Sequence, residues 1–203
     1  MPILEMLGYL LESTHNMVTS SESDLPTAYF IETERLAFRE LNASDANERY
    51  YTWLNDPEIN QYLENRYFPS TIESIRDYIN SINASKANLF CAIILKEQNQ
   101  HIGNIKLGPI NWIHRYAEIG LLLGEKDCWG KGFATEAIKA IVNFGFKQLN
   151  LHKITAGCYE TNIGSSKAFQ KAGFSIEGMQ KSQFFSQGKY VDGIRMGIIN
   201  ESQ

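Results

Sequence analysis

Residues 128–136 read Cys128-Trp-Gly-Lys-Gly-Phe-Ala-Thr-Glu136. They follow the apolar run Ile119-Gly-Leu-Leu-Leu123 and precede a helical pattern of apolar residues. The order is strand, glycine loop, helix N-terminus. Such a loop can turn its backbone N–H groups toward an anion, usually a phosphate, and the helix dipole adds to the attraction. Gly130 and Gly132 permit backbone angles and a close approach that a Cβ would block. Lys131 adds a cation. The plainer alternatives are an ordinary tight turn for the glycines and a solvated surface side chain for Lys131.

The pattern on either side of the loop sets the fold class. Upstream, Arg35–Leu41 alternates as a strand. Ser44 and Asp45 are N-cap types opening a helix that runs to Leu54, and Asn55-Asp56-Pro57 stops it. A short helix is expected over Ile59–Leu63. Another opens at Thr71, with Ile72, Ile75, Tyr78, Ile79 and Ile82 at helical spacing. Strands are expected at Leu89–Leu95, His101–Leu107 and Tyr116–Leu123. After the loop, a helix over about 132–149 buries Ala137, Ile138, Ile141, Phe144 and Phe146. Lys153–Tyr159 is a strand. A helix over Asn162–Ala172 ends at Gly173. Strands at Phe174–Glu177 and Tyr190–Ile199 are joined through Gln187-Gly188-Lys189. Strands in a row followed by strand–helix–strand units predict a mixed α+β sheet with helices on both faces.

Composition narrows the class of function. The chain has 203 residues and is 43% hydrophobic, enough for one domain with a substantial core, expected over 29–203. A formal net charge of -4 argues against nucleic acid as a main partner. Three scattered cysteines, Cys91, Cys128 and Cys158, fit a reducing, cytoplasmic setting and no disulfide framework. The four histidines form no ligand pattern, so no metal is expected. Residues 1–28 read as an N-terminal extension and linker, apolar to Leu11 and then rich in Ser and Thr. The apolar stretch falls short of the ~20 residues a membrane span needs. It is read as a packing or solvated segment, with a partner or homodimer contact as the alternative.

Three motifs together resemble the GNAT superfamily of acetyl-coenzyme A-dependent N-acyltransferases, over roughly residues 29–200. The family's loop, Arg/Gln-x-x-Gly-x-Gly/Ala, falls on Trp129-Gly130-Lys131-Gly132-Phe133-Ala134. Asn162-x-x-Ser165 leading to Lys171-Ala-Gly-Phe174 resembles the family's Asn-x-x-Ser/Ala…Gly-Phe helix. Glu118-Ile-Gly-Leu121 resembles the strand beside the pantetheine arm. Trp129 in place of Arg or Gln is similar to the RimJ/RimL-type branch. The resemblance implies the GNAT fold: a central, mostly antiparallel sheet splayed around one parallel strand pair, with helices on both faces. It also implies transfer of an acetyl group from acetyl-CoA to a primary amine by direct attack, without a metal.

The resemblance further implies the site. Cofactor contacts are expected at Ile119, Leu121, Trp129, Gly130, Lys131, Gly132, Phe133, Ala134 and Asn162, with Lys167 and Lys171 available to a 3′-phosphate or simply solvated. Asn162 can cap its helix as well. Glu118 is the expected general base; its alternative is a structural ion pair with a cation such as Arg115. Glu136 is a second candidate, placed equally well by dipole effects alone. Ser165 could donate to the leaving thiolate or satisfy its own backbone. Phe169 stands where many relatives have a tyrosine acid, and it has no proton to give. Trp53, Tyr62 and Phe184 are expected to bind the acceptor, or else to be core and rim aromatics. The acceptor is read as a small-molecule amine such as an amino sugar or nucleotide-linked amino sugar. The alternatives are a protein N-terminal amine and a non-catalytic acyl-CoA-binding role.

Overall fold

A computed structural model describes residues 29–201, and the readings made for residues 1–28 lie outside the described residues. Eight strands form one sheet: β1 (Ile31–Glu32), β2 (Leu36–Glu40), β3 (Leu89–Leu95), β4 (Gln100–Leu107), β5 (Tyr116–Leu123), β6 (Lys153–Tyr159), β7 (Ser175–Ser186) and β8 (Lys189–Ile199). Their order is β1-β2-β3-β4-β5-β6-β8-β7. Each neighbouring pair is antiparallel except β5 and β6, which run parallel. The α-helices are α1 (Glu48–Asn55), α2 (Pro57–Asn60), α3 (Ile72–Asn83), α4 (Phe133–Lys147) and α5 (Ile163–Lys171). This is the expected mixed α+β architecture.

Helices cover both faces because the central strands are apolar on both. In β3, Cys91, Ile93 and Leu95 join one core with Ile138 and Ile141 of α4 and Phe169 of α5. The alternate residues Phe90, Ala92 and Ile94 join a second core with Tyr50 and Trp53 of α1 and Ile75 and Ile79 of α3. The period of two thus becomes a continuous apolar run when both faces are buried. Each fully buried Ile or Phe contributes about 1.5–3 kcal/mol.

β1 is a short strand that was not expected, and three expected elements fall elsewhere. The helix expected from Ser44-Asp45 begins at Glu48, capped by Asn47. Asn42 instead caps a 3₁₀ turn over Ala43–Asp45, and Asp45 is the acidic member of its capping box. Arg39 draws the buried Asp45 carboxylate inward through bonds of 2.7 and 2.6 Å. The short helix falls at Pro57–Asn60, because Asp56 caps it and Pro57 starts it. β7 runs to Ser186, far past the expected Glu177. It is an edge strand exposed at nearly every position, so it has no buried face to impose an alternation on the sequence.

Burial alone would raise the Asp45 carboxyl. Hydrogen bonds from Arg39 and from the Asn42 N–H outweigh it and hold Asp45 below the ordinary carboxylate range. A depressed value means stability that is complete above the unfolded carboxyl's pKa and lost as pH falls through the folded one. Asp45→Asn leaves the part-buried Arg39 guanidinium without its counter-charge and is expected to cost about 2–3 kcal/mol in denaturant unfolding at pH 7. Acidification toward pH ~3 should destabilise the variant less than the native chain.

Candidate active site

β5 and β6 pair through Tyr116–Lys153, Ala117–Ile154 and Glu118–Thr155. Past that point the registered pairing stops. Residues 118–123 of β5 and Gly157–Tyr159 of β6 line a cleft of about 750 Å³. The chain order delivers further residues to it. The loop after β5 and the start of α4 bring Trp129, Gly130, Ala134 and Ile138; α5 brings Asn162, Ser165 and Phe169. The segment after α1 brings Glu58, Tyr62 and Glu64, and the last hairpin brings Gln180, Phe184 and Arg195. The sequence-derived residues Glu118, Ile119, Leu121, Trp129, Gly130, Ala134, Asn162, Ser165, Tyr62 and Phe184 therefore share one cleft. Trp53, Lys131, Gly132, Phe133 and Lys167 are not among its lining residues.

The glycine loop has the backbone its sequence demands. Gly130 and Gly132 have φ of 73° and 83°. A Cβ on Gly130 would meet nothing within 4 Å, so the backbone angle and not space requires glycine there. Gly132 is the N-cap of α4 and supplies no side-chain cap. The first N–H groups of the helix are thereby left for an outside acceptor. Phe133 can offer only such an N–H, because its ring is buried under the Arg35 guanidinium at 4.3 Å. Trp129 fixes the loop to the strand before it: its Nε1 donates to the Leu123 carbonyl at 2.8 Å. Lys131 and Lys167 are exposed.

Glu136, the second candidate base, is instead a structural tie. Its carboxylate accepts from Thr33 Oγ1 at 2.6 Å, from the Arg35 N–H at 3.0 Å and from Arg35 Nε at 2.7 Å. Burial would raise this carboxyl, but the bonds from Thr33 and Arg35 outweigh it and hold the group low. The β1–β2 turn is thereby fastened to the first turn of α4.

Trp53 is a correction. It is 3% exposed and belongs to the core beneath α1 and α3. Its indole lies over Gly124, where a Cβ would fall 2.0 Å from a ring carbon, and its Nε1 donates to Glu125 at 3.2 Å. Trp53 supports the chain entering the glycine loop and does not face the cleft. Tyr62 and Phe184 do, and they meet on a residue the sequence reading missed. Tyr159 stacks on Phe184 with centroids 4.3 Å apart and packs against Tyr62 at 5.8 Å. Arg66 Nη1 donates to the Tyr159 hydroxyl at 3.1 Å, and Arg66 Nη2 to the Phe185 carbonyl at 3.0 Å. It cross-links the segment after α2 to the last hairpin.

Glu118 is 43% exposed and its Oε1 accepts from Arg195 Nη1 at 2.9 Å. The cation is Arg195 of β8; Arg115 is turned instead toward Asn150. The available signal was a lone arginine between Ile194 and Met196 in an apolar strand. Asn162 caps α5, its Oδ1 accepting from the Ser165 N–H at 3.1 Å. The Ser165 hydroxyl lies beside the Cys158 thiol. Burial pushes Cys158 up, with Ser165 partly offsetting it, so this thiol is a poor nucleophile. Phe169 is buried against Phe174.

A family model described as an acetyltransferase (GNAT) domain matches residues 35–175. The chain belongs to the GNAT acetyltransferase family. The uncharacterized N-acetyltransferase p20 of Bacillus licheniformis is 35% identical over 164 residues, 79% of this chain and 90% of that protein. Spermidine N(1)-acetyltransferase of Escherichia coli K12 is 34% identical over 105 residues, covering 52% of this chain and 56% of that enzyme. The crystal structure of spermidine N-acetyltransferase from Vibrio cholerae in complex with CoA and spermine superposes with a TM-score of 0.74. It is 28% identical and covers 82% of this chain and 96% of that one. This GNAT chain is thus an N-acetyltransferase from a family that uses acetyl-CoA. The open loop, with uncapped N–H groups, positive φ and free space over Gly130, fits a pyrophosphate.

Trp129→Phe keeps the ring but leaves the Leu123 carbonyl without its donor. A lost hydrogen bond of about 1 kcal/mol corresponds to a roughly five-fold higher KM for acetyl-CoA. kcat should change little in steady-state thiol-release assays.

Proposed function

We propose that this enzyme transfers acetyl from acetyl-CoA to the primary amine of a small cationic molecule by direct attack. The observation that supports it most is the single cleft shared by Glu118, Ser165 and the glycine loop. Acetyl-CoA, when bound, supplies the acyl group as a thioester. In this reading, N–H groups of the loop and first turn of α4 hold its pyrophosphate, and the Asn162 amide holds the pantetheine arm. Lys167, an exposed cation outside the cleft lining, is available to the 3′-phosphate. Glu118 takes one proton from the incoming ammonium, directly or through a water. The N–C bond forms first and puts negative charge on the carbonyl oxygen; collapse of that tetrahedral species breaks the C–S bond, and the amine's second proton goes to the departing thiolate. A backbone N–H of β5 past Glu118 steadies the negative charge that develops on the carbonyl oxygen. Ser165 donates to the thiolate, a good leaving group that needs little help. That economy accommodates Phe169 in place of a tyrosine acid.

Charge favours the class of acceptor. The cleft is lined by the carboxylates of Glu58, Glu64 and Glu118 against one guanidinium, Arg195. Lys126 pairs with Glu58 at 2.5 Å but shares its charge with Asp56 at 2.9 Å, while Glu64 has no ion-pair partner among the described residues. A nucleotide-linked sugar would bring a pyrophosphate into this field. A di- or polyamine, or a free amino sugar resting on Tyr62, Tyr159 and Phe184, fits it better. The spermidine-acetylating relatives point the same way. Trp129 and Phe169 are the residues that favour the RimJ/RimL-type branch, and three free thiols favour a cytoplasmic setting.

The test is thiol release from acetyl-CoA with spermidine, glucosamine and a peptide bearing a free N-terminus. Turnover of spermidine or glucosamine is expected; turnover of the peptide alone would contradict the reading. Glu118→Gln should lower kcat about 100-fold or more at neutral pH. The loss should shrink toward the amine's own pKa of about 10, where solvent supplies the neutral amine.

A further inference from the structure

Glu118 and Arg195 are not neighbours in the sheet. Glu118 is on β5 and Arg195 on β8, with β6 between them. The register partner of Arg195 on β6 is Gly157. A Cβ built on Gly157 would lie 2.8 Å from Arg195 Nη1 and 3.6 Å from Glu118 Oε1. The guanidinium therefore crosses β6 through the space that a side chain at 157 would fill. It meets Glu118 at the last registered pair before β5 and β6 part. The contact uses Oε1 alone. Oε2 has no hydrogen-bond partner among the described residues.

We propose that Arg195, passing over Gly157, is the positioning residue for Glu118: it anchors one carboxylate oxygen and leaves the other for the substrate's proton. The proposal rests on the reading of Glu118 as general base and deepens it. The ion pair is half exposed, with 41% of Arg195 and 43% of Glu118 accessible, so it adds little to fold stability. Its effect belongs to the filled cleft. Substrates exclude water there, and the attraction strengthens as the local dielectric falls. An unanchored glutamate would sample several rotamers at the mouth of the opening. An error of about 1 Å in a reacting group is enough to lower a rate by roughly 100-fold. Gly157 has a second role on this account: it keeps the path for the guanidinium clear.

Arg195→Ala, Gly157→Ala, Glu118→Gln and Arg195→Ala/Glu118→Gln would be compared with acetyl-CoA and the best amine of the panel above, with thermal melts as the folding control. The Gly157 variant displaces only the far end of a flexible side chain and is expected to fold normally. Arg195→Ala and Gly157→Ala should each lower kcat roughly 10- to 100-fold with acetyl-CoA KM near native. The double variant should be no slower than Glu118→Gln alone, since Arg195 acts only through Glu118. Added methylguanidinium should restore part of the rate to Arg195→Ala and none to Glu118→Gln. If Glu118→Gln is slow while Arg195→Ala and Gly157→Ala turn over at the native rate, the positioning role is overturned and the base stands. A double variant slower than Glu118→Gln would also overturn it, by showing a direct role for Arg195. A native rate in Glu118→Gln would remove the base, and the positioning role with it.

Discussion

Two parallel strands, β5 and β6, are held together through three residue pairs and then separate. Most of what concerns function follows from that parting. A sheet whose neighbours stay paired leaves no room for a ligand between strands. Here the backbone of β5 past Glu118 loses registered contact with β6, and the opening is lined by residues from both. The separation is tolerated because the two cores beneath the sheet are otherwise continuous. α4 and α5 seal one face with Ile138, Ile141 and Phe169, and α1 and α3 seal the other with Tyr50, Trp53, Ile75 and Ile79. The opening is thus a local exception in a well-packed sheet.

The loop at Trp129–Ala134 depends on the same arrangement. Its position is set from behind by Trp129 on Leu123, by Arg35 on Lys131 and Glu136, and by Trp53 on Gly124. These ties leave the cleft-facing backbone free. Side chains that read as chemistry in the sequence, Glu136 and Trp53, prove to be supports for that backbone. The likelihood of mistaking one for the other is physical in origin: a carboxylate in a first helical turn and an aromatic in a helix are useful for either purpose.

Legibility followed burial. β3, with both faces buried, and α4, with a broad apolar stripe, were plain because the core imposes a pattern on them. The glycines at 130 and 132 were plain because positive φ selects for them. β7 was mostly illegible, being an exposed edge with no face to encode. Tyr159 and Arg195 were missed for another reason. Each acts through partners far along the chain, Phe184 and Tyr62 for one and Glu118 for the other, and spacing along one strand does not report such contacts. A charged residue in an apolar strand was the one local sign of Arg195.

The most direct test of the account is a crystal structure of the protein with coenzyme A. The pantetheine arm should enter between β5 and β6 beside Asn162, with the pyrophosphate on the backbone of Gly130–Ala134 and the sulfur near Ser165 and Glu118. Coenzyme A bound outside the opening between β5 and β6, with those strands closed over an empty gap, would contradict it.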